Sequence, residues 1–349
     1  MPGMPETPRD PQRTRLVTEA ARLYYEFDHT QEDIARRLRI SRSSVSRLLK
    51  EAKQSGIVQV RVCDPLTTSS ELELEFEKTF GLKKAIVVPI QTSLDPLTAV
   101  APAAVDYLSL LLVDDDIVGV SWGATLLAMA DYLAEQPQQR LRGVKVVQVK
   151  GSVAGYPKAT HAAEIAMGFA RAFNGEVVLL PVPVIVDSPE AKEIIEADRG
   201  IRSVLNLGRK ARVAVFGIGY PSDDAMLVEA GFLTTKQMDE LRKKGAVGDI
   251  YARYFDTNGV LCDASLDQRI VGLPLAELRR KEFSLGVAAG KHKARAIVGA
   301  LRGRYLNVLI TDEPTALEVL KITKNLCDRP LDDISRSDEA NERLPLSAV

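Results

Sequence analysis

Three short stretches of this 349-residue sequence join glycine to hydroxyl or cationic side chains in spacings that could hold an anion. Ser121-Trp122-Gly123-Ala124-Thr125 follows the apolar run DIVGV and precedes an apolar helical pattern. The free backbone N–H groups of such a helix start, with the Thr125 hydroxyl, would cradle a phosphate. Gly217-Ile218-Gly219 follows RVAVF, and Ala288-Ala289-Gly290-Lys291-His292-Lys293 follows FSLGV, where a lysine can supply countercharge. Glycines also serve tight turns that bind nothing, so the weight lies in having three such turns rather than one. Lys150 closes VKVVQVK just before GSVAG. A lysine there can pair with phosphate or, if desolvated, condense with the aldehyde of an open-chain sugar. It reads equally well as a strand-end lysine whose stem covers apolar surface. Asp249, in AVGDIYARYFD, is a loop carboxylate able to accept bonds from sugar hydroxyls, or simply to cap a helix. None of the turns is a Walker loop or a G-x-G-x-x-G, so no nucleotide cofactor is expected, and no other cofactor is called for. His29, His161 and His292 have no metal-ligand spacing, and no Ser-His-Asp or Cys-His arrangement is visible.

These turns need a scaffold, and the flanking pattern supplies one. From Lys84 onward the apolar runs KAIVVPI, DIVGVS, VKVVQVK, EVVLLPV, RVAVFGIG, FSLGVAAG and NVLITDE alternate with helical patterns such as ATLLAMADYL and HKARAIVGALRG. Strands apolar on both faces and separated by helices predict an α/β fold with a doubly wound parallel sheet, which binds ligands where strand turns into helix.

The first 63 residues differ in character. They carry 12 basic against 8 acidic residues, although the whole chain is close to neutral at 46 against 47. Between Ile34 and Arg61 eight basic residues face only Glu51. Residues 14–27 space Val17, Ala20, Ala21, Tyr24 and Phe27 as one face of a helix. Thr30 then caps a second helix with Asp33 at the capping-box position, and Ser41 caps a third, RSSVSRLLKEAKQ. IVQVRV, beyond Gly56, alternates as a strand would. Three short helices and a strand predict a winged helix-turn-helix. Gln31, Ser41, Arg42, Ser43, Ser44, Arg47 and Lys50 would then face DNA, arginine reading a guanine edge and lysine a phosphate. The segment TTSSELELEFEKTFGL reads as a linking helix.

Composition excludes other classes. The longest uncharged apolar stretch, Ile117 to Ala130, is too short to span a bilayer. The proline-rich start lacks the apolar region of a secretory signal. Cys63, Cys262 and Cys327 are scattered and odd in number, which excludes a disulfide framework. A soluble, cytoplasmic protein without membrane contact is expected.

The segment DHTQEDIARRLRISRSSVSRLLKEAKQSGIVQVRV resembles the winged helix-turn-helix that opens the SorC family of bacterial sugar-responsive transcription regulators. VGVSWGATL, AVFGIGYP, AVGDIYARYFDTNG and AAGKHKARAIVGALRGRYLNVLITDEPTA resemble that family's effector domain in order and spacing, nearest to its deoxyribonucleoside-responsive type. The resemblance implies a Rossmann-like domain akin to ribose-5-phosphate isomerase and glucosamine-6-phosphate deaminase, with the sugar-phosphate pocket kept and catalysis lost. It places Gly123, Ala124, Thr125 and Lys293 on the phosphate. Gly217 and Gly219 would admit the ligand to the backbone, Asp249 would meet a hydroxyl, and Lys150 would meet an aldehyde. It further implies a homotetramer on double-stranded operator DNA, a repressor by preference, controlled by deoxyribose 5-phosphate or a related sugar phosphate. Free polyols serve other members. The expected organisation is a disordered start (1–12), the DNA-binding domain (13–64), a linker helix (65–82), the effector domain (83–328) and a polar tail (329–349). The competing reading is an enzyme, a sugar-phosphate isomerase or Schiff-base lyase with an accessory DNA-binding module. An architectural DNA-binding protein would leave the three glycine-rich strand ends unexplained.

Overall fold

The computed structural model of the chain describes residues 11–25, 27, 29–55, 57–58, 70–89, 95–136, 141–153 and 161–327. The expected disordered start, most of the wing strand and the polar tail lie outside the described residues, apart from residues 11 and 12 and from Ile57 and Val58. The chain divides into two compact units, Met1–Thr68 and Ser69–Val349.

In the first unit, helices α1 (Pro11–Tyr25), α2 (Gln31–Leu38) and α3 (Arg42–Gln54) enclose Val17, Ala20, Ala21, Ile34, Val45, Leu48 and Leu49. The Thr30 hydroxyl accepts the Asp33 N–H at 3.2 Å and the Asp33 carboxylate accepts the Thr30 N–H at 3.3 Å, so two orphan donors of the α2 start are satisfied reciprocally. The α2–α3 turn closes with the Ile40 N–H on the Ala35 carbonyl at 3.0 Å, and Arg39 takes φ 53° at the helix end. Phe27 departs from expectation. The helix ends at Tyr25, and Phe27 is 57% exposed instead of completing the buried stripe. The His29 N–H reaches back to the Leu23 carbonyl at 3.0 Å, and this closing turn lifts Phe27 off the helix.

The second unit carries seven parallel strands: β1 (Lys84–Val88), β2 (Ile117–Val120), β3 (Lys145–Gln148), β4 (Glu176–Val178), β5 (Val213–Gly217), β8 (Phe283–Val287) and β9 (Val308–Asp312). Their order is β1-β9-β8-β5-β2-β3-β4. The α/β fold read from the sequence is therefore present, strand for strand. A separate antiparallel hairpin, β6 (Gly248–Ile250) and β7 (Arg253–Phe255), stands between β5 and β8 in the chain.

Helices cover both faces of the sheet. Val118, Val120, Val146, Val213, Val215, Leu285 and Ile310 point to the side of α5 (Pro96–Leu111), α6 (Ala124–Glu135), α7 (Ala162–Ala172), α10 (Met226–Glu229), α11 (Thr235–Lys243) and α12 (Ala264–Asp267). Ala85, Val87, Ala214, Phe216 and Leu309 point to the other, where α4 (Ser70–Phe80), α9 (Arg199–Lys210), α13 (Ala294–Arg302) and α14 (Glu313–Cys327) pack. Alternate strand residues thus feed two cores, as a pleat of period two requires. Helix α8 (Pro189–Ala197), capped by Ser188, buries no residue fully.

Helix α4 is fastened to β1 by its acidic side chains. Glu73 accepts the Val87 N–H at 3.0 Å and Glu77 accepts the Ala85 N–H at 3.1 Å. Four residues of helix rise about 6 Å and two residues of strand about 6.6 Å, so the two carboxylates match alternate amides. Lys84 pairs with Glu77 at 3.2 Å and Glu73 at 3.5 Å. Among the described residues no helix is long and apolar enough to cross a membrane.

Candidate functional site

Reading outward from the middle of the sheet, β2, β3 and β4 follow one another to one side, and β5, β8, β9 to the other. The winding reverses between β2 and β5, and the turns leaving these two strands diverge there to open a crevice. Gly217 lies against the Thr125 side chain across it. A cavity of about 330 Å³ sits at this point. Its walls include all eight residues singled out from the sequence for the effector: Gly123, Ala124, Thr125, Lys150, Gly217, Gly219, Asp249 and Lys293. Its volume is at the small end of the range of about 300–1,000 Å³ typical of ligand pockets, which suits a ligand the size of a sugar phosphate.

Each wall has its own electrostatics. Helix α6 begins at Ala124 with Gly123 as its N-cap and no side chain on its first N–H groups, so the positive end of the helix faces the cavity. Lys293 ends the short 3-10 turn after β8; burial lowers its pKa, against the pull of Asp249 and Asp95. Lys150 is only 6% exposed, and its ammonium lies 3.6 Å from the centroid of the Trp122 ring. Trp122 is held in turn by its Nε1–H on the Gly151 carbonyl at 2.7 Å. Burial drives the Lys150 pKa down to about 8, Asp249 opposing and Arg253 assisting.

Asp249 is placed differently from expectation. It belongs to β6 of the hairpin and not to a loop, and its backbone exchanges two hydrogen bonds with Gly219, at 2.9 and 3.1 Å. A Cβ on Gly219 would fall 2.0 Å from Asp249 Oδ1, so only glycine lets this carboxylate rest over the turn. Burial raises the Asp249 pKa, while Lys150 and Lys293 pull it back. A carboxylate between two lysines can accept hydroxyl hydrogens, and the lysines can meet an anion.

The far wall of the cavity is made by Tyr220, Ser222, Asp224, Met226, Glu229 and Tyr254, none of them among the residues expected to meet the effector. Residues 220–229 carry no glycine-rich turn or strand-end lysine to flag them, and only the fold brings them over the β5 exit. Tyr220 meets His292 edge to face, with ring centroids 4.9 Å apart, at the mouth of the Lys293 turn.

In the first unit the expected DNA-facing residues gather at the start of α3. Ser41, Arg42, Ser43, Arg47 and Lys50 are exposed, while Gln31 and Ser44 are half-buried. Gln31 and Arg42 line one shallow concavity with Tyr24 and Thr30. The Ser41 Oγ accepts the Ser44 N–H at 3.2 Å and lies 2.8 Å from the Ser44 hydroxyl, so these two serines build the helix cap. Arg42, Arg47 and Lys50 are left as the cations that project outward.

Fold and site together define a regulator class, a helix-turn-helix unit joined to a Rossmann-like domain with a small pocket at its switch point. Comparison with known proteins agrees: the MarR family model (MarR_2) matches residues 21–65, and the Sugar-bind model of sugar-binding domains matches residues 64–321. The chain belongs to the SorC family of transcriptional regulators, which carry a sugar-binding domain. It is 40% identical over 309 residues to the deoxyribonucleoside regulator of Bacillus subtilis, covering 88% of this chain and 97% of that one. It is 32% identical over 310 residues to the sorbitol operon regulator of Klebsiella pneumoniae, covering 88% and 98%. The crystal structure of that full-length sorbitol operon regulator superposes with a TM-score of 0.68 at 31% identity over 88% of this chain and 98% of that one.

Proposed function

We propose that this chain is a transcriptional repressor whose affinity for double-stranded operator DNA is controlled by a phosphorylated sugar, deoxyribose 5-phosphate or a close relative. The observation that carries the reading is the convergence of a helix N-terminus, two lysines and the Asp249 carboxylate on a single cavity of about 330 Å³, with Asp224 and Glu229 on its far wall. The N–H groups of Gly123, Ala124 and Thr125 with Lys293 take the phosphate, the Gly217 and Gly219 backbone lines the sugar, and Asp249 accepts a hydroxyl. On the DNA side Arg42 and Arg47 read bases and Lys50 meets phosphate, with Gln31, Ser41, Ser43 and Ser44 around them. The protein works as a cytoplasmic homotetramer, an arrangement drawn from the family resemblance. The effector acts by binding one arrangement of the assembly more tightly than the other, since only differential affinity moves an equilibrium.

Lys150 supports a more specific form of this reading. An amine held near pH 8 against an aromatic face is a fair nucleophile at neutral pH. Its Nζ adds to the aldehyde carbon of an open-chain sugar phosphate, and loss of one water leaves an imine. The comparison with a deoxyribonucleoside regulator supports an aldehyde-bearing deoxy sugar phosphate.

The test is a thermal-shift screen of the full-length protein with sugar phosphates and the matching free sugars, because a ligand that binds the native state raises the melting midpoint by mass action. At a hundred times its Kd a ligand adds about 2.7 kcal/mol. Deoxyribose 5-phosphate should stabilise the protein and deoxyribose should not. Stabilisation by free sugars or polyols alone would remove the phosphate assignment of Thr125 and Lys293. Borohydride added to the complex should attach the sugar to Lys150, and turnover of the sugar phosphate would establish the rival enzyme reading.

A further inference from the structure

Arg253 is the largest fully buried side chain among the described residues, only 2% exposed, and its hydrogen bonds and ion pair go to Tyr251, Ile270, Gly272 and Asp267, outside the eight residues expected to meet the effector. A guanidinium is costly to remove from water unless its donors find partners, so each of its contacts is informative.

The contacts fall on two separate backbones. Nη1 donates to the Tyr251 carbonyl at 3.3 Å. Tyr251 and Ala252 form the two-residue turn of the β6–β7 hairpin, with φ of 57° and 65°. Such turns favour Asn-Gly, because side chains in the left-handed region are strained. Here neither residue is glycine, and the surroundings must hold the turn in place. Asp249 stands two residues before that turn, paired with Tyr254 across the hairpin.

Nη2 donates to the Ile270 carbonyl at 3.4 Å and the Gly272 carbonyl at 3.3 Å. This second segment pairs with the chain around Lys150. The Gly151 N–H donates to the Val271 carbonyl at 3.0 Å, and the Leu273 N–H to the Val149 carbonyl at 2.9 Å. Gly272 lies so close that a Cβ there would sit 2.7 Å from Lys150 Cα. Nε lies 2.6 Å from Asp267 Oδ1, an ion pair that works against the cost of burial although the two atoms are not aligned for a hydrogen bond.

We propose that Arg253 is a positioning residue for the cavity: one planar fork ties the hairpin that carries Asp249 to the 270–272 segment, which is itself paired with the backbone around Lys150, and so sets the span the effector must bridge. This rests on the reading that Lys150 and Asp249 face the effector. The same guanidinium adds its charge to the Lys150 surroundings, where burial is the larger influence, Arg253 acts with it, and Asp249 acts against it. Asp267, Glu196 and the Tyr251 ring face Arg253 itself, and burial is again the leading effect. Lysine in its place would keep the charge and lose the fork, because an ammonium cannot span three carbonyls arranged on two segments.

Two measurements on the full-length protein test this. The first is the titration midpoint of the Lys150 amine without effector, followed by trace acetylation across pH and peptide mass spectrometry. The second is calorimetric binding of 2-deoxyribose 5-phosphate. Wild-type protein should titrate near pH 8. R253M should raise the midpoint, since a positive neighbour is gone, and weaken binding about tenfold or more. R253K should leave the midpoint near that of the wild type and still weaken binding. D267N, a half-exposed position less dangerous to folding, should lower the midpoint by unmasking the guanidinium. Full binding in R253K, or a midpoint unmoved in both R253M and D267N, would overturn the proposal. Opposed midpoint shifts in a protein that binds no sugar phosphate would refute the effector reading, and with it the span proposed for the effector, while keeping the charge coupling of Arg253 to Lys150.

Discussion

At the scale of single residues, the cavity owes its shape to side chains that are absent as well as to those present. Gly219 is the sharpest case, because the Asp249 carboxylate occupies the space a methyl group would need. Gly219→Ala should push Asp249 from its place and weaken deoxyribose 5-phosphate at least about tenfold. The fold should survive with a loss of about 1–3 kcal/mol, the usual cost of overpacking. Calorimetric binding and a thermal melt of the same sample check both halves, and unchanged affinity would remove Asp249 from the binding set. Residue chemistry was largely legible in the sequence here: glycine, lysine and threonine at strand ends are few, and their positions after apolar runs single them out. Arg253 was not legible. A lone arginine reads as solvated even beside aromatic residues, and only burial by segments distant in sequence, around Ile270 and Gly272, reveals its work.

At the scale of elements, legibility followed periodicity. All seven strands of the main sheet lie in runs built around consecutive apolar residues, and the long helices between them show a clear 3.6-residue pattern. The β6–β7 hairpin escaped because its turn residues, Tyr251 and Ala252, carry none of the glycine or asparagine that marks a two-residue turn. Its conformation is imposed by tertiary contacts, so local sequence was silent. The linking helix was legible as a helix, and its attachment was not. Glu73 and Glu77 look like ordinary surface acids until β1 is placed beside them. Their loss should free α4 from the sheet: the E73A/E77A double variant should melt several degrees lower. Its Ala85 and Val87 amides should exchange faster with deuterium than those of Ile86, which points toward β9. Equal exchange at all three would show the carboxylate bonds to be dispensable.

At the scale of the whole molecule, charge is divided between the two units. The first 63 residues are net basic and the remainder net acidic. Binding to DNA by the basic unit should therefore fall steeply with salt, with a log–log slope of about −0.9 for each phosphate contacted. Lys50→Ala should make that slope shallower by about one and weaken all sequences alike. Arg42→Ala or Arg47→Ala should cost about 1–3 kcal/mol on the operator and relax discrimination at one base position. Fluorescence anisotropy against operator and scrambled duplexes over a salt series separates these outcomes. A uniform loss for Arg47→Ala would make it a phosphate contact.

The pairing of α4 with β1 also bears on what this sheet can do to its neighbours in a crowded cell. A parallel sheet left open at its border offers a row of amides to any passing strand, the usual route to runaway self-association. Here Ala85 and Val87, the two β1 amides that face away from β9, already have carboxylate acceptors, and those acceptors carry charge that an incoming strand would have to bury. At the opposite border β4 is three residues long and begins with the exposed Glu176, too short a template to recruit another chain. The sheet is closed to templating at both ends, at one by a helix and at the other by brevity.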